Sequence, residues 1–358
     1  MLDAAALHAG LLALDTHIDI PWPDTGDAFG PSGRRVDLAK MRAGGLDAGC
    51  FAAYVPQGPR TPEGHAAARS RALGMLGAIR AMEDERDGIA ARVASTVAEI
   101  RAAADDGVIA VVPCVENGYA VGEDLSLLAR FRDLGARYMT LTHNGHNLLA
   151  DSCNPRADLG DAQTLHGGLS DLGRDAIAEM NRLGMLVDVS HVSRQASLQA
   201  AMHSRTPVLA THSCVRALCD VARNVDDTLL DALRDTEGMV SITGLSAFLR
   251  RGAKPDEVSV ADYADHIEYV VKRCGLAHVG ISSDFDGGGG FTGWADASES
   301  ANLTAELVRR GYGATEIEAM WSGNFLRLLA RAEDVADEMA RSARLPPTPA
   351  PGDPARDA

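Results

Sequence analysis

The chain has 358 residues, of which 46% are hydrophobic and 23% are charged. That length can bury a large core, and it fits one large α/β barrel or two ordinary domains. Aromatic residues make up only 4% and the formal net charge is −16, which disfavours base stacking and attraction to phosphate backbones or anionic membranes.

The amino-terminal segment and the cysteines indicate the expected compartment. Residues 1–14 are apolar but include Asp3 and His8 and lack a basic start, so they predict a short helix and not a signal peptide. The chain lacks the roughly 18 unbroken apolar residues that a membrane helix needs. Its six cysteines are spread out without a CxxC pair, which is typical of reduced thiols. We therefore expect a cytoplasmic protein.

Eight apolar runs of strand length recur along the chain. They are Ala13–Asp19, Ala48–Val55, Val108–Val115, Tyr138–His143, Leu186–His191, Val208–His212, Val240–Gly244 and Val279–Asp284. Each is nearly continuous, as expected of a strand buried on both faces. Apolar residues at helical spacing lie between most of them, so the sequence predicts a (β/α)8 TIM barrel. A doubly wound open sheet is the alternative, but no GxGxxG turn follows an early strand.

The domain organisation follows from the same pattern. We predict a single barrel over residues 1–343 and a disordered Pro/Ala-rich tail over residues 344–358. The long polar segment 144–169 predicts a loop over the barrel mouth.

Side chains that can bind a metal stand at the predicted ends of six of the eight strands. They are His17 and Asp19, Glu116, His143 and His146, Asp188 and His191, His212, and Asp284 with Asp286. In a parallel barrel all carboxyl ends of the strands meet at one face, which carries the active site. Histidine and carboxylate ligands suit Zn²⁺ and related ions.

Each motif has an ordinary alternative explanation when it is taken alone. The pattern His17-x-Asp19 is common, although it points both side chains the same way. A single histidine such as His191 or His212 is more often a core residue, and a buried Glu116 would otherwise need an arginine partner. Their occurrence at one barrel face favours metal binding, and a carboxylate at position 116 can bridge two ions about 3.5–4 Å apart.

The eighth strand supplies a candidate general base. A carboxylate beside a metal-activated water can take its proton and pass it to the leaving amine. Asp284 is preferred because it falls inside the strand end, and Asp286 remains the competing residue. The chain has no GxSxG, GxxxxGK[ST] or HExxH motif, which disfavours the serine, nucleotide and thermolysin types of hydrolysis.

The same residues resemble a known family. DTHIDIPW at 15–22, VENG at 115–118, PVLATHS at 207–213 and VGISSDFDG at 279–287 are similar, in order and spacing, to the membrane (renal) dipeptidases, a branch of the amidohydrolase barrels. The resemblance covers about residues 12–332. It implies a barrel of amidohydrolase type and a dipeptidase that holds two zinc ions per chain.

The resemblance also implies a role for each site residue. His17 and Asp19 would bind one zinc ion, Glu116 would bridge, and His191 and His212 would bind the second. Asp284 would be the general base and acid, acting on a hydroxide that the two ions share. His143 would bind the substrate and stabilise its oxyanion, and Arg223 would bind the carboxylate of a dipeptide with an L- or D-residue at its carboxyl end. Family members are often dimers, although no motif here reports a homodimer.

Two departures from the family fall in the expected substrate pocket. The chain reads NGHNLL at 144–149 where many members have CNTPW, and Phe248 stands where an aromatic hydroxyl is often found. These changes leave the side-chain preference open. The alternatives are a related amidohydrolase acting on another small amide, lactone or ester, a tailoring dipeptidase of a biosynthetic pathway, and a barrel repurposed for binding. The complete ligand set argues against the last.

Overall fold

The computed structural model describes residues 2–30 and 32–344. Its strands are β1 Leu14–Asp19, β2 Ala48–Tyr54, β3 Asp84–Arg86, β4 Ile89–Val93, β5 Ile109–Glu116, β6 Tyr138–Thr140, β7 Leu186–Asp188, β8 Val208–Ser213, β9 Met239–Ile242 and β10 Val279–Ile281. Its helices are α1 Ala4–His8, α2 Leu38–Gly44, α3 Pro62–Arg80, α4 Val97–Asp105, α5 Ser126–Asp133, α6 Asp171–Leu183, α7 Arg194–His203, α8 Asp227–Asp235, α9 Ser246–Leu249, α10 Val260–Cys274, α11 Ala301–Arg309, α12 Ala314–Glu318 and α13 Asn324–Arg344. Of the predicted tail, residues 345–358 lie outside the described residues.

Eight parallel strands form a barrel, which confirms the predicted (β/α)8 fold. The order around the sheet is β1-β2-β5-β6-β7-β8-β9-β10, and every neighbouring pair in that order is parallel. The ring closes where Ile18 of β1 forms a parallel bridge with Phe285, just after β10. The strands β3 and β4 form a hairpin outside the ring, and β4 pairs with β5.

The helices begin where the sequence supplies a capping side chain. The hydroxyls of Thr61, Ser170 and Ser193 accept hydrogen bonds from the backbone N–H groups of the first turns of α3, α6 and α7. At its other end α6 stops at Gly184, which adopts the left-handed conformation that glycine tolerates best. These local signals place each helix after its strand, and the apolar helix faces then cover the outside of the barrel.

Buried side chains also fill the inside of the barrel. Leu14, Cys50, Val112 and Tyr138 project inward from four strands and belong to one buried cluster with residues of α13. Because these residues lie towards the amino ends of the strands, the polar residues at the carboxyl ends remain to line the open mouth. Among the described residues no helix is both long enough and apolar enough to cross a membrane.

Candidate metal centre

The candidate ligands come together at the carboxyl end of the barrel, in three overlapping groups. His17, Glu116 and His212 form one group, Glu116, His143 and His191 a second, and His17, Asp19 and Asp284 a third. Within each group the donor atoms lie within 4.8 Å of one another. The structure therefore brings together all seven residues that the sequence placed at the centre of the site.

Glu116 occupies the middle of the cluster. Its Oε2 lies 3.7 Å from Nε2 of His17, and its Oε1 lies 3.2 Å from Nε2 of His191 and 3.3 Å from Nε2 of His212. Each oxygen thus faces a different set of ligands. A buried glutamate could also be explained by an arginine partner. Among the described residues, however, the ion-pair contacts of Glu116 within 4 Å are all with histidines.

Two donors on β1 are left without a protein partner. Nε2 of His17 and Oδ1 of Asp19 are buried and make no hydrogen bond with any residue that the structure describes. A buried polar atom without a partner is costly, so its presence usually indicates a bound ion or water. Since both atoms point into a cluster of hard and borderline donors, the residues fit a metal ion.

The ring tautomer of His17 is fixed by a tyrosine. Nδ1 of His17 lies 2.8 Å from the hydroxyl of Tyr138, and that hydroxyl donates to the carbonyl of Thr16 at 2.9 Å. The hydroxyl must therefore accept the proton of Nδ1, which leaves Nε2 as the ring nitrogen that faces the cluster and is available to a metal.

His212 is held in the same way by a threonine and a carboxylate. Its Nδ1 lies 2.9 Å from Oγ1 of Thr211, which donates to Oδ2 of Asp188 at 2.7 Å. Asp188 also accepts from the hydroxyl of Thr140 and from the backbone N–H groups of Ser190 and Thr211. Asp188 is therefore a fully bonded support for the ligand His212.

Five predicted strands end earlier than expected, and three of them end three residues before a residue of the site. β6, β7 and β10 stop at Thr140, Asp188 and Ile281, so that His143, His191 and Asp284 lie in the loops that follow. His191 has φ 65° and Asp284 has φ 58°. Strand backbone cannot adopt this left-handed conformation, which costs an L-residue about 1–3 kcal/mol and is concentrated at functional sites.

Burial and neighbouring charges shift the pKa values of the side chains in the cluster. Burial raises the pKa of Asp284 to about 7, although the nearby His17 opposes the shift. Burial would lower the pKa of His17, but Glu116, Asp19 and Asp284 outweigh it and raise that pKa to about 10. Burial, reinforced by the charge of His17, lowers the pKa of His212 to about 3. Burial also lowers the pKa of His143.

Asp284 and its competitor Asp286 have different surroundings. Asp286 accepts hydrogen bonds from the backbone N–H groups of Arg35 and Val36 and lies 3.5 Å from Nε of Arg34. Asp284 instead belongs to the donor group that contains His17 and Asp19. The geometry therefore favours Asp284 as the carboxylate that is free to move a proton.

A cavity of about 490 Å³ opens above the cluster. Asp19, Glu116, His143, His191 and Asp284 lie at its base, and Trp22, Tyr54, Arg71, Arg223 and Phe248 contribute to its walls. Arg223 is 7% exposed, donates to the carbonyl of His212 at 3.1 Å and lies over the ring of Phe248 at 5.3 Å. It has no carboxylate partner within 4 Å in the described part of the chain, where its hydrogen bonds go to His212 and Ser213.

The barrel and the donor cluster at its mouth define the class of protein, a metal-dependent hydrolase of the amidohydrolase type. The profile of one family, described as membrane dipeptidase (peptidase family M19), matches residues 1–343. The chain therefore belongs to the membrane dipeptidase family, as the sequence motifs indicated.

Individual relatives agree with the family. The chain is 40% identical over 227 residues to dipeptidase aclJ of Aspergillus oryzae. This alignment covers 63% of this chain and 52% of that protein. It is 31% identical to dipeptidase verJ of Clonostachys rogersoniana, over 94% of this chain and 88% of that protein. The chain thus spans about half the length of aclJ but most of verJ.

Solved structures match over nearly the whole chain. The probable dipeptidase PvdM of Pseudomonas aeruginosa superposes with a TM-score of 0.88 at 30% identity, over 93% of this chain and 98% of that one. A metallopeptidase of Rhodobacter sphaeroides, liganded with a phosphinate mimic of the dipeptide L-Ala-D-Ala, superposes with a TM-score of 0.80 at 26% identity, over 90% and 99%.

Proposed function

We propose that the protein is a zinc-dependent dipeptidase with two metal ions per chain, held by His17, Asp19, Glu116, His191 and His212. The observation that carries the proposal is the position of Glu116. One of its oxygens faces His17 and the other faces His191 and His212, at 3.2–3.7 Å. This is the arrangement that a bridging carboxylate requires. Bound zinc ions would lower the pKa of a water molecule towards about 7 and polarise the scissile carbonyl.

The surrounding residues supply proton transfer and orientation. Asp284, which lies in one donor group with His17 and Asp19, is suited to accept the proton of the attacking water and then donate it to the departing amine. His143, whose lowered pKa keeps its ring neutral at pH 7, can donate a hydrogen bond to the oxyanion. The unpaired Arg223 can bind the carboxylate of a dipeptide, which favours dipeptides over longer chains.

The range of dipeptides is part of the same proposal. The Rhodobacter sphaeroides relative was solved with a phosphinate mimic of L-Ala-D-Ala. By that similarity we include L,D-dipeptides among the substrates, together with L,L-dipeptides.

The test combines metal analysis with a substrate panel. Zinc content is measured by elemental analysis, and a panel of L,L- and L,D-dipeptides is assayed before and after chelation. The proposal expects about two zinc ions per chain and dipeptide release that chelation abolishes and zinc restores. Two zinc ions without dipeptide release would keep the centre but redirect the search to other amides, lactones and esters. A protein that holds no metal and cannot be reloaded would overturn the ligand assignment.

A further inference from the structure

The wall of the cavity contains a second arginine to which the proposed mechanism gives no role. Arg71 lies on α3 and is half-buried. Its Nε donates to the carbonyl oxygen of Tyr54 at 3.0 Å, and its guanidinium carbon lies 5.7 Å from the centre of the Tyr54 ring. An arginine carries five N–H donors, and this contact uses one of them.

The rest of the Arg71 guanidinium has no partner among the residues that the structure describes. Its two terminal nitrogens make no hydrogen bond there, and no carboxylate lies within 4 Å of it. The acids of the cavity are otherwise engaged. Asp286 pairs with Arg34, and the remaining acids, Asp19, Glu116 and Asp284, belong to the donor cluster. Arg71 is therefore a cation that is free to bind an anionic group inside the cavity.

Arg71 and Arg223 lie on opposite sides of the barrel mouth. Arg71 is anchored to Tyr54, the last residue of β2, which is the second strand around the ring. Arg223 is anchored to the carbonyl of His212 in β8, which is the sixth strand. Strands four positions apart in a ring of eight face each other, so the metal centre lies between the two arginines.

This placement orients the substrate. When Arg223 holds the terminal carboxylate and the scissile carbonyl lies at the centre, the amino-terminal residue must extend towards β2. The ring of Tyr54 lies 4.7 Å from the ring of His143, so this wall begins directly beside the proposed oxyanion contact. The side chain of the amino-terminal residue then points towards the wall that contains Arg71.

We propose that Arg71 binds a carboxylate in the side chain of the amino-terminal residue, so that the protein prefers aspartyl and glutamyl dipeptides. The inference rests on the proposed dipeptidase function and adds a substrate class to it. Arginine suits this role because its planar fork matches a carboxylate with two parallel hydrogen bonds.

The test uses two pairs of ligands that differ only in charge. The first pair is the substrates Glu-Ala and Gln-Ala, compared by kcat/KM. The second is their phosphinate mimics, compared by dissociation constant on the zinc-loaded protein. Both are measured for the unaltered chain and for the variants Arg71→Met and Arg71→Lys. Arg69→Met is the matched control, because Arg69 lies on the same helix but faces Asp124 at 3.9 Å.

The unaltered chain should prefer the glutamyl member of each pair by about tenfold or more, the gain from one charge-assisted hydrogen bond. Arg71→Met should bring both ratios to about one, because the glutamyl member loses more than the glutaminyl member. Arg71→Lys should keep part of the preference, and Arg69→Met should keep all of it. If Arg71 only braced Tyr54, Arg71→Met would instead lower kcat/KM for both substrates by the same factor and leave their ratio unchanged.

Two results separate this inference from the proposed function. Turnover of Gln-Ala without a glutamyl preference, or with a preference that survives Arg71→Met, overturns the inference and leaves the dipeptidase standing. Tighter binding of the glutamyl mimic through Arg71 without turnover of either substrate supports the subsite and overturns the function. Absence of both binding and turnover overturns both.

Discussion

The hydroxyl groups behind the ligand histidines decide which ring nitrogen is available to a metal. Thr211 links His212 to Asp188, and Tyr138 links His17 to the backbone of Thr16. Such outer contacts orient the imidazole and raise its basicity. The affinity of the centre therefore depends on residues that touch no ion.

Thr211→Val should weaken zinc binding about 10- to 100-fold, because it removes the acceptor for the Nδ1 proton of His212 while keeping the side-chain volume. The measurement is a titration of zinc against a competing chelator. Thr142→Val is the matched control, since Thr142 is also buried at the barrel mouth but its hydroxyl has no hydrogen-bond partner among the described residues. Equal zinc affinity for both variants would contradict the role of Thr211.

Asp284→Ala should lower kcat by at least about 100-fold, the usual contribution of a positioned general base, while the zinc content stays near that of the unaltered chain. Zinc content is measured on the same samples as turnover. Asp286→Asn, which removes the rival carboxylate, should lower kcat far less. Unchanged turnover in Asp284→Ala would remove Asp284 from the mechanism.

At the scale of single residues, the sequence predicted the donors and part of the cavity wall, but it missed Tyr54 and Arg71. His17, Asp19, Glu116, His191 and His212 were predictable because a charged or imidazole group at the end of an apolar strand is conspicuous. Tyr54 and Arg71 gave no such signal. β2 ends in an aromatic residue, and an arginine on an amphipathic helix normally faces solvent.

At the scale of elements, all eight barrel strands were predicted and the β3–β4 hairpin was not. Its turn has a recognisable signal, Asp87-Gly88, with φ 52° and 77° as this type of tight turn requires. The residues around this turn did not indicate a hairpin, because β3 is exposed along its whole length and its sequence is typical of a polar loop. Hydrophobic periodicity detects strands that are buried, and β3 is not.

The segment after β10 shows how a loop can shape the centre. Gly287 lies so close to the donors that an added Cβ would fall 2.0 Å from Oδ2 of Asp19 and 2.6 Å from Oδ1 of Asp284. A methyl group at this position must displace both carboxylates.

Gly287→Ala should therefore reduce both zinc content and turnover while the barrel stays folded. Gly77→Ala is the control, because Gly77 lies in α3 with nothing within 4 Å of the added carbon. That change should be neutral or stabilise the fold by about 0.5–1 kcal/mol. Zinc content, turnover and thermal unfolding are measured for both variants. Full zinc occupancy in Gly287→Ala would show that the loop accommodates the methyl group without displacing the carboxylates, and it would contradict the prediction.

At the scale of the whole molecule, the barrel gathers carboxylates and histidines at one buried place. A ligand that binds only the folded state stabilises it, by about 4 kcal/mol when its concentration exceeds the dissociation constant a thousandfold. Zinc should therefore contribute to the stability of the entire fold as well as to catalysis.

Removal of zinc by a chelator should lower the Tm by at least about 5 °C, and restored zinc should recover it. Scanning calorimetry measures the shift, and far-ultraviolet circular dichroism at 25 °C checks that the metal-free barrel remains folded. A variant with His17→Ala and His212→Ala together should show no response to zinc. An equal Tm with and without zinc would contradict a structural contribution of the metal.

The spread of the donors along the chain has a consequence for biosynthesis. His17 and Asp19 leave the ribosome early, whereas Asp284 follows on the order of half a minute later at ordinary rates of translation. β1 cannot pair with the end of β10 until that moment, although this contact closes the ring. A growing polypeptide therefore cannot close the ring around the ligands, and the choice of metal falls to the finished barrel.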